Sequence, residues 1–146
     1  MLESLALGAL AAAGAILDMR ARTIPNALNL VVLVGGIIML AVQWNDIAVL
    51  SHFGHFGIAL AGAMGLFALG AWGGGDAKFY AALALWFDLG QALLFLVATA
   101  VAGLILFGVM LCFRTVRKRP GWSRELPYGV AIAAGAIATQ VGPSII

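Results

Sequence analysis

The chain has 146 residues, of which 64% are hydrophobic and only 10% are charged. A soluble domain carries roughly 25% charged residues, so the composition excludes a soluble enzyme or binding domain and predicts an integral membrane protein. The single cysteine, Cys112, excludes an intramolecular disulfide and a cysteine-rich zinc site. The pI near 9.1 does not indicate nucleic-acid binding, because the charges are few and lie between apolar runs.

Apolar runs separated by polar breaks predict six membrane segments, at residues 2–18, 27–43, 47–72, 77–88, 91–113 and 128–146. The N-terminal MLESLALG has no basic residues before its apolar run, so we interpret it as part of the first segment rather than as a signal peptide. The fourth segment is shorter than the roughly 20 residues that a bilayer core needs. It either borrows residues from its ends or pairs with the fifth as a hairpin that does not fully cross. The predicted fold is therefore all-α, a polytopic membrane helical bundle forming a single domain over residues 1–146.

The positive charges fall on one side of this scheme. Alternating the segments places every basic residue on that side, namely Arg20, Arg22, Lys78, Arg114, Arg117, Lys118, Arg119 and Arg124. Because Lys and Arg favour cytoplasmic loops, this side is predicted to be the cytoplasm, with both termini outside. The acidic residues divide between the two sides, with Glu3, Asp46 and Asp88 outside and Asp18, Asp76 and Glu125 inside. Anionic lipid is the expected partner of the basic residues at 114–124.

Asp18 ends the first segment, and Asp76 immediately precedes the fourth. Both are therefore expected at similar depth, near the cytoplasmic boundary. A carboxylate near the hydrocarbon edge is costly unless it is solvated or paired, which makes each a functional candidate. Two carboxylates close together share one proton, and such a pair can activate water while protonating a carbonyl oxygen. Each also has a structural interpretation. Asp76 could cap a helix N-terminus, and Asp18 could form an ion pair with Arg22 four residues later.

Three short motifs follow one another along the chain. They are Asp18 followed by Ile24-Pro25-Asn26, then Gly73-Gly74-Gly75-Asp76-Ala77-Lys78, and finally Pro127-Tyr128-Gly129. The second fits the pattern G-x-G-D-x-K. Together, in this order and on six segments, they resemble the type IV prepilin peptidases, which belong to the membrane aspartic proteases with a G-x-G-D motif.

The resemblance implies an aspartic endopeptidase that removes the short, basic leader of prepilin-like proteins at the cytoplasmic face of the bacterial inner membrane. The family's catalytic aspartates correspond to Asp18 and Asp76. The supporting motif positions correspond to Gly73, Gly75, Lys78, Pro25, Asn26, Pro127, Tyr128 and Gly129. The implied partners are membrane lipid and a prepilin or pseudopilin with a basic leader and an apolar helix. No metal, other cofactor or nucleic acid is implied.

Longer members of the family carry a cysteine-rich, zinc-binding cytoplasmic loop and methylate the new N-terminus of the product. This chain has one cysteine, and its first motif begins at residue 18. It therefore resembles the short, single-domain form that serves Flp-type or tight-adherence pili. We do not expect it to catalyse N-methylation.

The glycines near and within the third segment are expected to act in two ways. The stretch Gly73–Gly75 permits close backbone approach and unusual dihedral angles, so Asp76 could swing toward Asp18. Small residues also favour close packing of membrane helices. This predicts tight packing at Gly57, Gly62, Gly65 and Gly70.

The remaining candidates have plainer interpretations. Lys78 either biases which aspartate is ionised or extends to the lipid headgroups, and Asn26 is a reasonable helix cap after Pro25. Tyr128 is expected to anchor at the membrane interface. His52 and His55 share a helix face, but they lie far from both aspartates and have no third ligand nearby, so no metal site is expected.

Two other classes of function remain open on the sequence alone. A small transporter usually carries ionisable residues near the middle of the bilayer, whereas here they all fall near the ends of segments. A non-catalytic assembly subunit would not require both Asp18 and Asp76.

Overall fold

The computed structural model describes residues 2–45, 48–116 and 127–142, and within these ranges it contains helices and no strand. The helices are α1 (Leu2–Ala21), α2 (Asn26–Val42), α3 (Val49–Ala68), α4 (Gly74–Ala84), α5 (Ala92–Val116) and α6 (Tyr128–Val141). A 3₁₀ turn, Leu89–Gln91, precedes α5. The prediction of an all-α helical bundle is confirmed. Asp46, the basic residues from Arg117 to Arg124, Glu125 and residues 143–146 lie outside the described residues, and the side chain of Arg114 is not described.

Three stretches of helix are long and apolar enough to cross a membrane, namely Leu2–Ala21, Val49–Ala68 and Leu89–Cys112. The helices α2 and α6 are also apolar but have 17 and 14 residues. The bounds differ most from the sequence prediction around α4. The helix α3 ends at residue 68 rather than 72, and α4 covers 74–84 rather than 77–88. Asp76 therefore lies inside α4 rather than before it.

The short helix α4 forms the centre of the bundle. It packs against α3, α2 and α6, and no residue from Phe79 to Leu85 is more than 5% exposed. A helix that is apolar on all sides is stable only when neighbours surround it. With 11 residues it extends about 16 Å, roughly half the hydrocarbon thickness of a bilayer. The prediction of a short fourth segment is thus met by a half-length central helix.

Two buried histidines of α3 satisfy the backbone where α4 ends. His52 Nδ1 lies 3.0 Å from the carbonyl oxygen of Leu85, and His55 Nδ1 lies 3.1 Å from that of Phe87. A carbonyl oxygen only accepts, so each Nδ1 carries the proton and donates. The last carbonyls of a helix have no partner within the helix, and unpaired backbone groups are costly where water is excluded. The structure therefore gives these histidines a role in capping α4.

The expected close packing at four glycines is wrong. A Cβ atom placed on Gly57, Gly62, Gly65 or Gly70 would meet nothing within 4 Å. The tight positions lie on α1 and α2 instead. A Cβ on Gly14 would lie 2.8 Å from ring atoms of Phe79, and one on Gly36 would lie 3.0 Å from a methyl group of Leu85. These glycines face α4, so small residues are needed where the central helix is enclosed.

Replacing Gly14 by alanine is expected to lower the stability of the protein by about 1–3 kcal/mol, because the new methyl group overlaps the buried ring of Phe79. The matched change Gly62→Ala adds a methyl group in open space, and it is expected to be neutral or to stabilise by up to about 1 kcal/mol. Thermal unfolding of the two variants in the same detergent checks this. Equal effects of the two substitutions would contradict the packing described.

Candidate functional site

Asp18 lies in the last turn of α1, where the chain turns back toward α2. The helix ends because Arg22 adopts a left-handed conformation, with φ of 54°, and its backbone N–H donates to the carbonyl oxygen of Asp18 over 2.9 Å. A left-handed residue just after the last turn is a common helix stop. The side chain of Asp18 is only 4% exposed, and its Oδ2 accepts the backbone N–H of Gly129 over 2.8 Å. The start of α6 thus meets the end of α1 at this carboxylate.

Asp76 is the third residue of α4, and Gly73 occupies the N-cap position. The structural interpretation of Asp76 as an N-cap is therefore wrong. Its carboxylate instead accepts the backbone N–H of Gly73, as an acidic residue at this position does in a capping box. Gly73 is extended and Gly74 and Gly75 are helical, so the glycine stretch lies in regular backbone and adopts no unusual dihedral angles.

Close backbone approach, the other expected use of these glycines, is present. A Cβ on Gly75 would lie 3.0 Å from the carbonyl oxygen of Ile24. Asn29, which is buried, donates from Nδ2 to the carbonyl oxygen of Gly75 over 3.2 Å. The start of α4 is therefore held between the α1–α2 loop and α2. Ile24 is identified in the sequence only as a member of the Ile-Pro-Asn motif, and Asn29 is not identified at all. Their contacts join residues about fifty positions apart, and only the isoleucine of the Ile-Pro-Asn motif gave a signal.

The two aspartates influence each other electrostatically. Burial raises the pKa of Asp76, and the charge of Asp18 raises it further, whereas the N–H of Gly73 lowers it; the result is about 6 rather than 3.8. A charge acts on a pKa in this way only over a short range, so the carboxylates of α1 and α4 lie close enough to interact. The charge of Arg22, the predicted partner of Asp18, also acts on that carboxylate.

The charge of Lys78 is not among the causes that shift the pKa of Asp76, and its extension to the lipid headgroups stays a prediction. The Nζ of Lys78 donates to Oδ1 of Asn26 over 3.0 Å. Positions 76 and 78 are about 200° apart around a helix, so Lys78 lies on the face of α4 opposite Asp76. The expectation that Asn26 caps α2 is also wrong, since Pro25 is the N-cap residue and no side chain caps the helix. Asn26 and Lys78 together link α2 to α4.

Pro127 and Tyr128 open α6 beside this centre. Pro127 is the N-cap residue of α6. The ring of Tyr128 packs against Trp72, with ring centroids 6.2 Å apart, and Trp72 in turn packs edge-on against Tyr80 of α4 at 5.3 Å. The segment that precedes the glycines is thereby connected to both α4 and α6.

A polar cleft of about 360 Å³ adjoins Asp76. It is lined by residues 22–26 of the α1–α2 loop and by residues 73–76 at the start of α4. A larger groove of about 580 Å³ runs between α1 and α2, and Glu3 is the only ionisable residue among those that line it. Neither aspartate lines this larger groove. The smaller cleft is the one that brings a carboxylate together with exposed backbone groups.

The pKa of Asp76 leads to a testable dependence of stability on pH. The pKa of Asp76 is about 6 in the folded protein and near 3.8 in the unfolded chain. At a pH between these two values, the folded protein therefore binds more protons than the unfolded chain. Stability then falls as the pH rises through this window. We expect Asp76→Asn to remove this loss, so that the variant unfolds at a higher temperature than the wild type above pH 7, with the difference vanishing below about pH 4.

Thermal unfolding between pH 4 and 8 measures both proteins. Asp88→Asn is the matched control, because Asp88 accepts the N–H of Gln91 and an asparagine oxygen can do the same. Parallel pH curves for the wild type and Asp76→Asn would contradict the stated pKa.

Comparison with known proteins identifies the family. Residues 5–108 match the model of the type IV leader peptidase family. The matched range includes Asp18 and Asp76 and ends before α6 begins. No curated protein and no solved structure matches the chain. Because the family model covers well over half of the residues and the structure is a bundle with three helices suited to crossing a membrane, the chain belongs to the type IV leader peptidase family of membrane peptidases.

Proposed function

We propose that the protein is an aspartic endopeptidase in which Asp18 and Asp76 activate water to remove the leader of a prepilin-like substrate. The observation that carries this proposal is that the carboxylate of Asp76 lines a polar cleft and lies close enough to Asp18 for the charge of Asp18 to raise its pKa. Asp18 is buried among backbone groups, and the pKa of Asp76 is raised to about 6 partly by the charge of Asp18. Pairs of titratable groups with different environments are typical of acid–base catalysis.

The chemistry needs one ionised and one protonated carboxyl group. The ionised group takes a proton from water while the water oxygen attacks the carbonyl carbon of the scissile peptide. The protonated group donates to the carbonyl oxygen, which stabilises the tetrahedral intermediate. A pKa of about 6 leaves roughly a tenth of Asp76 protonated at pH 7 and about half at pH 6, so both forms of this carboxyl group are populated.

The glycines at the start of α4 would give the substrate access. A scissile peptide must leave its helix to be attacked, and its exposed backbone groups then need polar partners. The cleft offers residues 73–75, without side chains, directly beside Asp76. An extended substrate segment could therefore approach the carboxylate closely, as glycine permits.

We infer the substrate class from the family and the charge pattern. The family acts on type IV leader peptides, and the short, single-domain resemblance favours Flp-type precursors with a basic leader and an apolar helix. Arg20, Arg22 and Lys78 belong to the same end of the bundle as the two aspartates. Basic residues favour the cytoplasmic side, which supports an active site at the cytoplasmic face of the bacterial inner membrane.

Cleavage of a co-expressed Flp-type precursor tests this function. The wild type is expected to convert the precursor to the mature form, whereas Asp18→Asn and Asp76→Asn are each expected to lower the rate by at least about 10²-fold. Asp88→Asn is expected to retain activity, because Asp88 caps the 3₁₀ turn away from the two aspartates. Gel mobility and mass spectrometry of the product measure the result, and thermal unfolding verifies that each variant is folded.

Each other outcome has a definite meaning. Normal cleavage by either asparagine variant would exclude the mechanism with two carboxylates. A folded wild type that cleaves no precursor would contradict the proposed substrate and would favour a non-catalytic assembly subunit. Proton or solute flux that is lost in the same variants would favour a small transporter.

A further inference from the structure

The start of α6 makes a direct contact with Asp18. The backbone N–H of Gly129 donates to Oδ2 of Asp18 over 2.8 Å, and the two residues are 111 positions apart. Gly129 is the second residue of α6. The N–H groups of a first helical turn have no carbonyl partner within the helix, and the positive end of the helix dipole lies there. Burial disfavours the ionised form of Asp18, whereas the N–H groups of Gly129 and Val130 and the charge of Arg22 favour it.

The contact requires glycine at position 129. A Cβ atom there would lie 2.9 Å from Oδ2 and from Cβ of Asp18, and 2.8 Å from Cδ1 of Ile24. Any larger residue would displace the carboxylate, the α1–α2 loop or the start of α6. Gly129 also lies beyond the residues that match the family model, which end at 108. The resemblance named Gly129 as a motif position, and the geometry adds the contact that it makes.

The charged groups around the pair reinforce the difference between the two aspartates. Asp18 faces the charge of Arg22 from the loop after α1, Asp76 from α4, and the N–H groups at the start of α6. Asp76 faces the charge of Asp18 and accepts the N–H of Gly73. The nearest cation on α4, Lys78, is directed away to Asn26. Two sources of positive potential act on Asp18, whereas the dominant charge at Asp76 is the negative charge of Asp18.

We propose that Gly129 is a positioning residue that keeps Asp18 ionised as the general base, so that Asp76 carries the shared proton and is the general acid. This assignment rests on the proposed aspartic endopeptidase function. Asp18 takes a proton from water as the oxygen bonds to the carbonyl carbon, and Asp76 gives its proton to the carbonyl oxygen. When the intermediate collapses, Asp76 recovers a proton from a hydroxyl group and Asp18 gives its proton to the leaving nitrogen as the C–N bond breaks. Both residues return to their starting forms.

Infrared absorption of protonated carboxyl groups tests the assignment without any substrate. Between about pH 5 and 6, the wild type is expected to show a band that disappears in Asp76→Asn. In Asp18→Asn the band is expected to titrate at lower pH, because the neighbouring negative charge is gone. Bands from the other carboxyl groups are common to all three proteins and cancel in the difference spectra. A band that is lost in Asp18→Asn and kept in Asp76→Asn would overturn the proposal.

Removal of the single N–H group tests the role of Gly129 itself. Incorporating glycolic acid at position 129 replaces the N–H by an ester oxygen and adds no Cβ atom. Loss of a hydrogen bond to a charged group is expected to lower kcat by about tenfold to a hundredfold, with little change in KM. The acidic limb of the pH–rate profile is expected to move to higher pH, and in the Asp76→Asn background a band from protonated Asp18 is expected to appear.

The matched control is lactic acid at Ala134, which removes an ordinary backbone N–H in the middle of α6. The pH–rate profile of this ester variant is expected to coincide with that of the wild type. If the Ala134 ester shifts the profile as much as the Gly129 ester, or if neither does, Gly129 is only structural and the proposal fails. If the wild type cleaves no precursor while the infrared bands behave as expected, the proposed function fails and the assignment of the proton to Asp76 stands.

Discussion

The structure depends on one constraint. The backbone polar groups at the two ends of the half-length helix α4 need hydrogen-bond partners inside an apolar bundle. At its C-terminal end, α4 is followed by irregular backbone whose carbonyl oxygens at Leu85 and Phe87 accept from His52 and His55. Near its start, the carbonyl of Gly75 accepts from Asn29. Because these hydrogen bonds tie the backbone of α4 to α3 at one end and to α2 at the other, α4 is fixed along its axis at both ends. Asp76 in its first turn therefore has a definite position relative to α1 and α6. The short length of α4 and the location of the carboxylate are consequences of the same requirement.

Much of this arrangement could be predicted from the sequence. The composition gave the class of protein, the polar breaks gave the order and number of helices, and the alternation of segments placed Asp18 and Asp76 at one end. These predictions succeed because hydrophobicity and charge act over whole segments and need no knowledge of contacts between helices. The extent of α4 was less predictable. Its apolar run continues through Trp86 and Phe87, but the chain leaves the helix at Leu85 because side chains of α3 can bind its free carbonyls. Hydrophobicity alone does not show where such partners are.

The contacts that hold the aspartates could not be predicted, since each joins residues that are far apart in the chain. Nothing local to Asn29 indicates that its amide donates to Gly75, and nothing local to Gly129 indicates a contact with Asp18. The glycines show the same limitation. Those of α3 resemble a packing motif yet face open space, whereas Gly14 and Gly36 face α4. Spacing shows which residues share a helix face, but it does not show which face meets another helix. Only the identity of the neighbouring element distinguishes these cases.

The two charged residues of α4, Asp76 and Lys78, show how a cation can be close in sequence to Asp76 without favouring its ionised form. An ammonium group beside both carboxylates would favour ionisation of both, and no proton would remain for the acid. Lys78 is two positions after Asp76, so the helix directs it to the opposite face, where it donates to Asn26. The positive potential near the pair then comes from Arg22 and from the start of α6, and both act on Asp18. Burial and the charge of Asp18 remain as the main influences on Asp76, and both favour its protonated form. A helix geometry that separates positions 76 and 78 thus preserves the one-proton state that acid–base catalysis by two carboxyl groups requires.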